Sequence, residues 1–340
     1  MQRFVSRGSF IVASVFACVG VFFGQLVQSD LPIQISAERS VFQWEIQRLL
    51  LEGKAQQIPT IQQGNSVLKA DTIVYEDQKK IGYAFGNVLF QDAQRGAVLR
   101  AGEGTYYTKT KEVVATKQPR LSLKKDGVTA VGEVIRFFPE KSILFFYQNV
   151  RIEGKNYVLR GDQAQLYQSS SKLLVQGNAV LEQDNTVIAS RLMQLLYGGG
   201  KISSYTATDD VSITEKKEGY VITGGKLDYY QEAGYTRITK DPRIVFSNDN
   251  GLAEVTCLVI DMFEKENRAN LLGNVAIVKG NQKVTARWGQ YAIKEKRIIL
   301  MGNPVLEDGG SRFEAMMIVF DVNRQELILE GKGRGRLQGR

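Results

Sequence analysis

Few residues in this chain have the type and spacing for covalent chemistry. Histidine is absent from all 340 positions, which removes the side chain that most often serves as general base or metal ligand near neutral pH. The two cysteines, Cys18 and Cys257, make no Cys-x-x-Cys metal pattern. Cys18 lies in an N-terminal apolar run, so no disulfide to Cys257 is expected, and Cys257 reads as a small buried hydrophobe. Asp209 and Asp210 are adjacent acids, and glycoside hydrolysis works with two carboxyl groups. Neighbours on a strand point to opposite faces, so this pair is poorly placed for that task. No enzyme activity, cofactor or metal is expected.

The charged residues suggest what could be bound. The net charge of +8 favours anionic partners such as lipid phosphates. Arg120 and Arg243 could meet phosphates at a rim, or be solvated. Lys332, Arg334, Arg336 and Arg340 sit in a Gly-rich end, where 333–340 reads as a basic flexible tail. No aromatic is interleaved with these charges, so the stacking used by single-strand binders is missing and no nucleic-acid partner is expected.

Any such ligand must be positioned by a repeat. Small residues recur at Ala37, Ala70, Gly102, Gly132, Gly161, Gly225, Cys257, Ala286 and Ala315, with Met193 in the sixth place. Sixteen positions after each stands Gly53, Gly86, Gln118, Gln148, Gly177, Asp209, Asp241, Gly273, Gly302 or Gly331, commonly followed by Asn-Val or a similar pair. A period near 30 residues means one supersecondary unit stacked on copies of itself.

Within a repeat the pattern has period 2. Residues 68–75 alternate and are rich in β-formers, 76–80 make a polar turn, and 81–90 return as a second strand. On the outgoing strand the inward candidates before the small residue (Leu68, Ala130, Leu159) have opposite parity to those after it (Ile73, Ile135). A pleat alternates strictly, so a phase shift implies a bulge or kink at the small residue. Each strand should therefore bend at its middle. The fold class expected is all-β: an elongated repeat β-jellyroll, V-shaped or taco-like, of stacked antiparallel strands in about ten two-stranded repeats, preceded by an N-terminal apolar helix. The expected divisions are 1–30 as a signal or anchor segment, 31–197 as a first array, 198–332 as a second, and the tail. The seam is placed at an insertion around Tyr197-Gly198-Gly199-Gly200.

At the N-terminus, Arg3 and Arg7 precede an uncharged apolar run, Phe10 to Phe23. This reads as an uncleaved anchor, with a cleaved signal peptide as the alternative and a lipoprotein box at Val15–Cys18 as a third. The expected location is the periplasm, tethered to the inner membrane by this segment.

The pairs Ala70-Asp71, Gly102-Glu103, Gly132-Glu133 and Gly161-Asp162, the aromatics Tyr75, Tyr107 and Phe137, and the Gly-Asn-Val signal together resemble the OstA-type repeat of the LptA/LptC-like periplasmic lipopolysaccharide-transport family. The resemblance runs over about 35–332, although the acid is lost in later repeats (Lys226, Leu258, Arg287, Met316). It implies a bridge that cradles acyl chains of lipopolysaccharide or another glycolipid in an apolar groove. It also implies an inner-membrane ABC transporter complex and an LptD-like outer-membrane protein as partners, and head-to-tail self-association by edge strands. The residues expected to line the groove are Ile73, Tyr75, Val88, Phe90, Ile135, Phe137, Val150, Ile152, Val275, Ile277, Tyr291, Ile318 and Phe320. Periodicity says which face is inward, not whether the inside is open or filled. The competing reading is a non-catalytic structural or adhesive β-solenoid of the cell envelope.

Overall fold

The computed structural model describes residues 33–336, apart from 54–56, 94–95, 139–140, 218 and 249–250. These residues form an all-β, strand-dominated fold of thirty strands. Alternation drives it. Along Ile143–Glu153 the buried residues are Leu144, Phe146, Val150 and Ile152. Contacts divide the chain into two units. One ends at Leu173 and takes in Gly198–Lys201; the other holds Leu174–Tyr197 and continues from Ile202.

Each unit contains a closed ring of six strands with further strands outside it. In the first, Ala97–Tyr107 pairs with Glu112–Thr116, which pairs with Val134–Phe138, which pairs with Ile143–Glu153. The circuit closes through Val128–Val131 and Arg120–Leu123 back to Ala97–Tyr107. In the second, Tyr220–Tyr230, Tyr235–Thr239, Val259–Phe263, Arg268–Lys279, Gly251–Thr256 and Arg243–Asn248 close the same circuit. One half of a long strand pairs with one set of short strands and the other half with another. Ile81–Asp92, for example, meets Thr72–Glu76 along its first half and Ser66–Lys69 along its second.

The bend between halves is a two-against-one bulge. The ladder steps from Phe85↔Glu103 to Val88↔Ala101, so Gly86 and Asn87 face Gly102 alone. Both have left-handed backbone, with φ of 72° and 48°. The same step puts Gln148–Asn149 opposite Asp162, Asp209–Asp210 opposite Gly225, and Gly273–Asn274 opposite Arg287. Two inserted residues leave alternation in phase, whereas one inserted residue reverses it. That is the origin of the opposite parities on the outgoing strands.

The bulges also correct the register of the repeat. The single residues Gly102 and Gly225 follow Ala101 and Gly224, as Asp162 follows Gly161. Ala101 and Gly224 thus hold the place expected of Gly102 and Gly225, and the left-handed pairs there are Lys117–Gln118 and Lys240–Asp241. In the sixth repeat the place belongs to Ser190 rather than Met193. Ser190 Oγ donates to Leu192 O at 3.1 Å, as Cys257 Sγ donates to Val259 O at 3.3 Å. Burial changes phase between Ser190 and Met193.

The expected fold class needs correction. Instead of about ten plain two-stranded repeats preceded by an apolar helix, there are thirty strands around two closed rings. The reason is local: at Lys117–Pro119 and Lys240–Pro242 the return strand breaks in two, giving short strands that pair separately. The only helices among the described residues are single 3-10 turns such as Gln168–Ser170 and Glu264–Glu266. The expected location is corrected in the same way: among the described residues no helix is long and apolar enough to cross a membrane, so the tether is withdrawn. The segment 1–30 on which the anchor was placed lies outside the described residues, and so does part of the tail at 337–340.

Candidate functional site

In the first unit the two halves of the bent strands face each other across an apolar interior. Leu68, Val88, Phe90 and Leu99 come from one half; Ala84, Tyr106, Val113 and Ala115 come from the other. Between them lies a cavity of about 50 Å³. On this measure a single water needs about 10–15 Å³, so the space takes a few small groups and not a whole acyl chain. The pleat places these side chains: Leu68, Phe90 and Leu99 are cross-strand partners, as are Ala84 with Gly104 and Tyr106 with Val113.

Of the residues expected to line a groove, Val88 and Phe90 reach this cavity. Ile73 lies one ladder step away beside Ala84, and Ile135 beside Ala115. Tyr75, Val150 and Ile152 are buried elsewhere in the unit, while Phe90 and Phe137 are half-buried. Val275, Ile277, Tyr291, Ile318 and Phe320 are buried in the second unit. Tyr291 meets the Phe246 ring edge-on at 5.5 Å, and Phe246 meets Tyr220, so three aromatic rings pack together there. The sequence reading missed Leu99, Tyr106, Val113, Ala115 and the fully buried Phe146. Phe146 shares parity with Val150 and Ile152, and that signal could have found it.

The polar groups have structural partners. Asp209 and Asp210 are exposed, left-handed bulge residues, with Asp210 paired to Arg191 at 2.5 Å. Arg243 pairs with Glu254 at 2.6 Å, and Arg120 is exposed. Cys257 is a free, buried thiol pushed up to about 11 by burial, which keeps it from acting as a thiolate nucleophile. Burial pushes the Tyr157 phenol up to about 12, with the charge of Asp126 adding to it. Tyr205 is raised by burial and then by Tyr229, on which it stacks at 4.8 Å. An open outer cleft of about 1050 Å³ in the first unit carries the Arg136–Glu112 ion pair at 2.5 Å and the Asn149–Glu133 hydrogen bond at 2.6 Å. Among the described residues no group of three potential metal ligands occurs. The arrangement can exclude water and hold apolar groups; it assembles no nucleophile with a base.

Residues 34–169 match the family described as LptA/(LptD N-terminal domain) LPS transport protein. This stretch is an LptA/LptD N-terminal-type domain. Its family consists of transport proteins rather than catalysts. The LptA/LptD N-terminal-type domain contains the whole first ring, the apolar cavity and eight of the candidate lining residues, Ile73 through Ile152. It ends well short of the resemblance read to residue 332. Among solved structures the chain is similar to LptH, the LptA-homologous periplasmic component of the lipopolysaccharide transport device of Pseudomonas aeruginosa. The identity is 14%, covering 54% of this chain and 96% of that one, with a TM-score of 0.18, too low to argue from. No curated protein matches the chain.

Proposed function

We propose that the chain is a periplasmic lipid carrier that holds the acyl chains of lipopolysaccharide or another glycolipid between the facing halves of its bent strands. The observation that carries this reading is the apolar interior at Val88 and Phe90, faced from both halves, inside a domain of a lipopolysaccharide-transport family. Each CH₂ withdrawn from water contributes about 0.8 kcal/mol, and a continuous apolar lining lets a tail move while exchanging like contacts. A cavity of about 50 Å³ does not admit a tail as it stands, so loading requires the halves to part or side chains to rotate. An LptD-like outer-membrane protein and an inner-membrane ABC transporter complex are the partners of this reading, and pairing of edge strands would join copies end to end.

Photocrosslinkers at Phe90 and Phe137 test it in cells. Lipid adducts from these positions are expected; adducts solely from Lys69 or Asp71, at the bend of the neighbouring outgoing strand and of outward parity, would reject it. The small cavity favours a second reading, a filled structural solenoid. That reading predicts no lipid adduct at any of the four positions, and no lipid on the full chain in native mass spectrometry.

A further inference from the structure

One hairpin breaks the alternation of turns. In an antiparallel meander successive turns fall at opposite ends of the strands. One set stacks through Asp77 N–H to Gln47 O and Thr108 N–H to Lys80 O; the other stacks through Ala93 N–H to Asn65 O and Lys124 N–H to Gly96 O. By this count the turn at Gly199–Gly200 belongs to the first set. Yet its bonds are to the second: Lys155 N–H donates to Gly200 O at 3.3 Å. Asp126 O packs so closely on Gly200 that an added Cβ would stand 2.4 Å from it. Asp126 and Lys155 both sit in turns of the second set, beside ring strands Val128–Val131 and Ile143–Glu153.

The reach comes from extra length. From Ser190, the true bend residue, to the left-handed Asp209 is nineteen positions; from Gly161 to Gly177, Cys257 to Gly273 and Ala286 to Gly302 it is sixteen. The following turn stacks on Ser203, whose carbonyl accepts from Gln231 N–H. Ser203 Oγ also donates to Leu196 O at 3.1 Å. Residues 197–202 therefore overrun the row. Three residues per arm at about 3.3 Å each span about 10 Å, the spacing of two packed sheet faces.

The tip is sparsely packed. At Gly86 or Gly273 a Cβ would strike a neighbour, so packing demands glycine there. At Gly198 and Gly199 a Cβ would meet nothing within 4 Å. Packing thus does not dictate these glycines; Gly199 and Gly200, with φ of 57° and 75°, supply the left-handed backbone of a two-residue hairpin turn. Among the described residues, the backbone latch at the far end is the Lys155–Gly200 bond, at 3.3 Å.

We propose that Tyr197–Ile202 is a strap across the mouth between the two half-strand layers beside the first ring. It keeps a lipid tail on a lengthwise path and lets it leave sideways only when the glycine tip lifts. This rests on the lipid-carrier reading. The test loads the full chain with BODIPY-labelled lipopolysaccharide and measures its dissociation during a chase with unlabelled lipopolysaccharide. One variant replaces Tyr197–Ile202 by Asn-Gly, a two-residue hairpin turn; the other is Gly200→Ala, which must push the tip off Asp126. Release is expected to quicken about tenfold without the strap and about threefold in Gly200→Ala, as loss of one or more weak hydrogen bonds would give. Equal release from the parent and both variants overturns the strap and leaves the carrier reading standing. If the parent takes up no labelled lipid, the carrier reading falls and the strap with it. Should the Asn-Gly variant fail to fold, Gly200→Ala decides alone.

Discussion

At the bend inside the first ring, Glu133 N–H is shared between Tyr147 O and Gln148 O at 3.0 and 3.1 Å. At the matching bend of the second ring, Leu258 N–H is shared between Leu272 O and Gly273 O, both at 3.0 Å. The backbone is the same and the side chains are not. Over the first bend an amide-carboxylate clasp closes, Asn149 Nδ2 donating to Glu133 Oε1 at 2.6 Å, and Asn87 clasps Asp71 likewise at 2.9 Å. Over the second, Leu258 lies on Gly273; beyond it Arg287 covers Gly302 and Met316 covers Gly331. The bend therefore needs a left-handed pair and a cover, and the chemistry of the cover is free. The six-strand circuit continues past residue 169 because it follows the backbone. The family match, ending there, parallels the loss of the acids.

Glycine substitutions should separate a clasped bend, here that of Gly86 beside the first ring, from the leucine-covered bend most strongly. Gly86→Ala places a Cβ 2.2 Å from Asp71 Oδ2 at a left-handed position, and should cost about 2–3 kcal/mol in urea unfolding. Gly273→Ala meets the rotatable Leu258 Cδ1 at 2.7 Å and should cost about 1–2 kcal/mol. Equal losses would mean that the clasp and the leucine cover are mechanically alike. A finer comparison comes from the asparagines. Asn149→Ala and Asn274→Ala both lose a residue that tolerates left-handed backbone. Only the first also loses a hydrogen bond, since Leu258 offers Asn274 no acceptor, so Asn149→Ala should be the more harmful by about 1 kcal/mol.

Alkaline titration gives the smallest contrast. Tyr157, beside the first ring, is pushed up to about 12 by burial, then by Asp126. Tyr235, in the second, reaches about 12 by burial, then through its hydrogen bond to Asp261. A phenol raised on folding stabilises the fold below its ordinary value of 10.0, and that contribution is lost as pH rises towards about 12. Both Tyr→Phe variants should flatten this alkaline loss in thermal melts. Tyr235→Phe should in addition lower the melting point at pH 7, because it gives up the 2.7 Å bond to Asp261.

The sequence made the strands and their mid-point bends legible, because alternation is a local signal and Ala130 and Ile135, on either side of Gly132, stand out of phase. Register was less legible. Counting from Gly102 and Gly225 instead of Ala101 and Gly224 led one residue too far along, to Gln118 and Asp241, when the left-handed pairs begin at Lys117 and Lys240. Met193 took a place that belongs to Ser190 for want of a glycine or alanine there. The closure of strands into rings, and the reach of Gly200 to Asp126, depend on which segments meet in space, and no periodicity encodes that. Nor could alternation show that the interior at Phe90 is nearly full, since occupancy depends on side-chain volumes from both halves at once.

The two-against-one bulge gives the chain something like a reading frame. Between a bend and the next turn, removing one residue would exchange every inward side chain for its outward neighbour, as a single-base deletion garbles all codons downstream. In a turn the same deletion alters only reach. Length variation in this protein therefore leaves the inward face unchanged where it falls at hairpin tips and scrambles it elsewhere. The three extra residues between Ser190 and Asp209 fall at a tip, where they change reach and leave the frame intact.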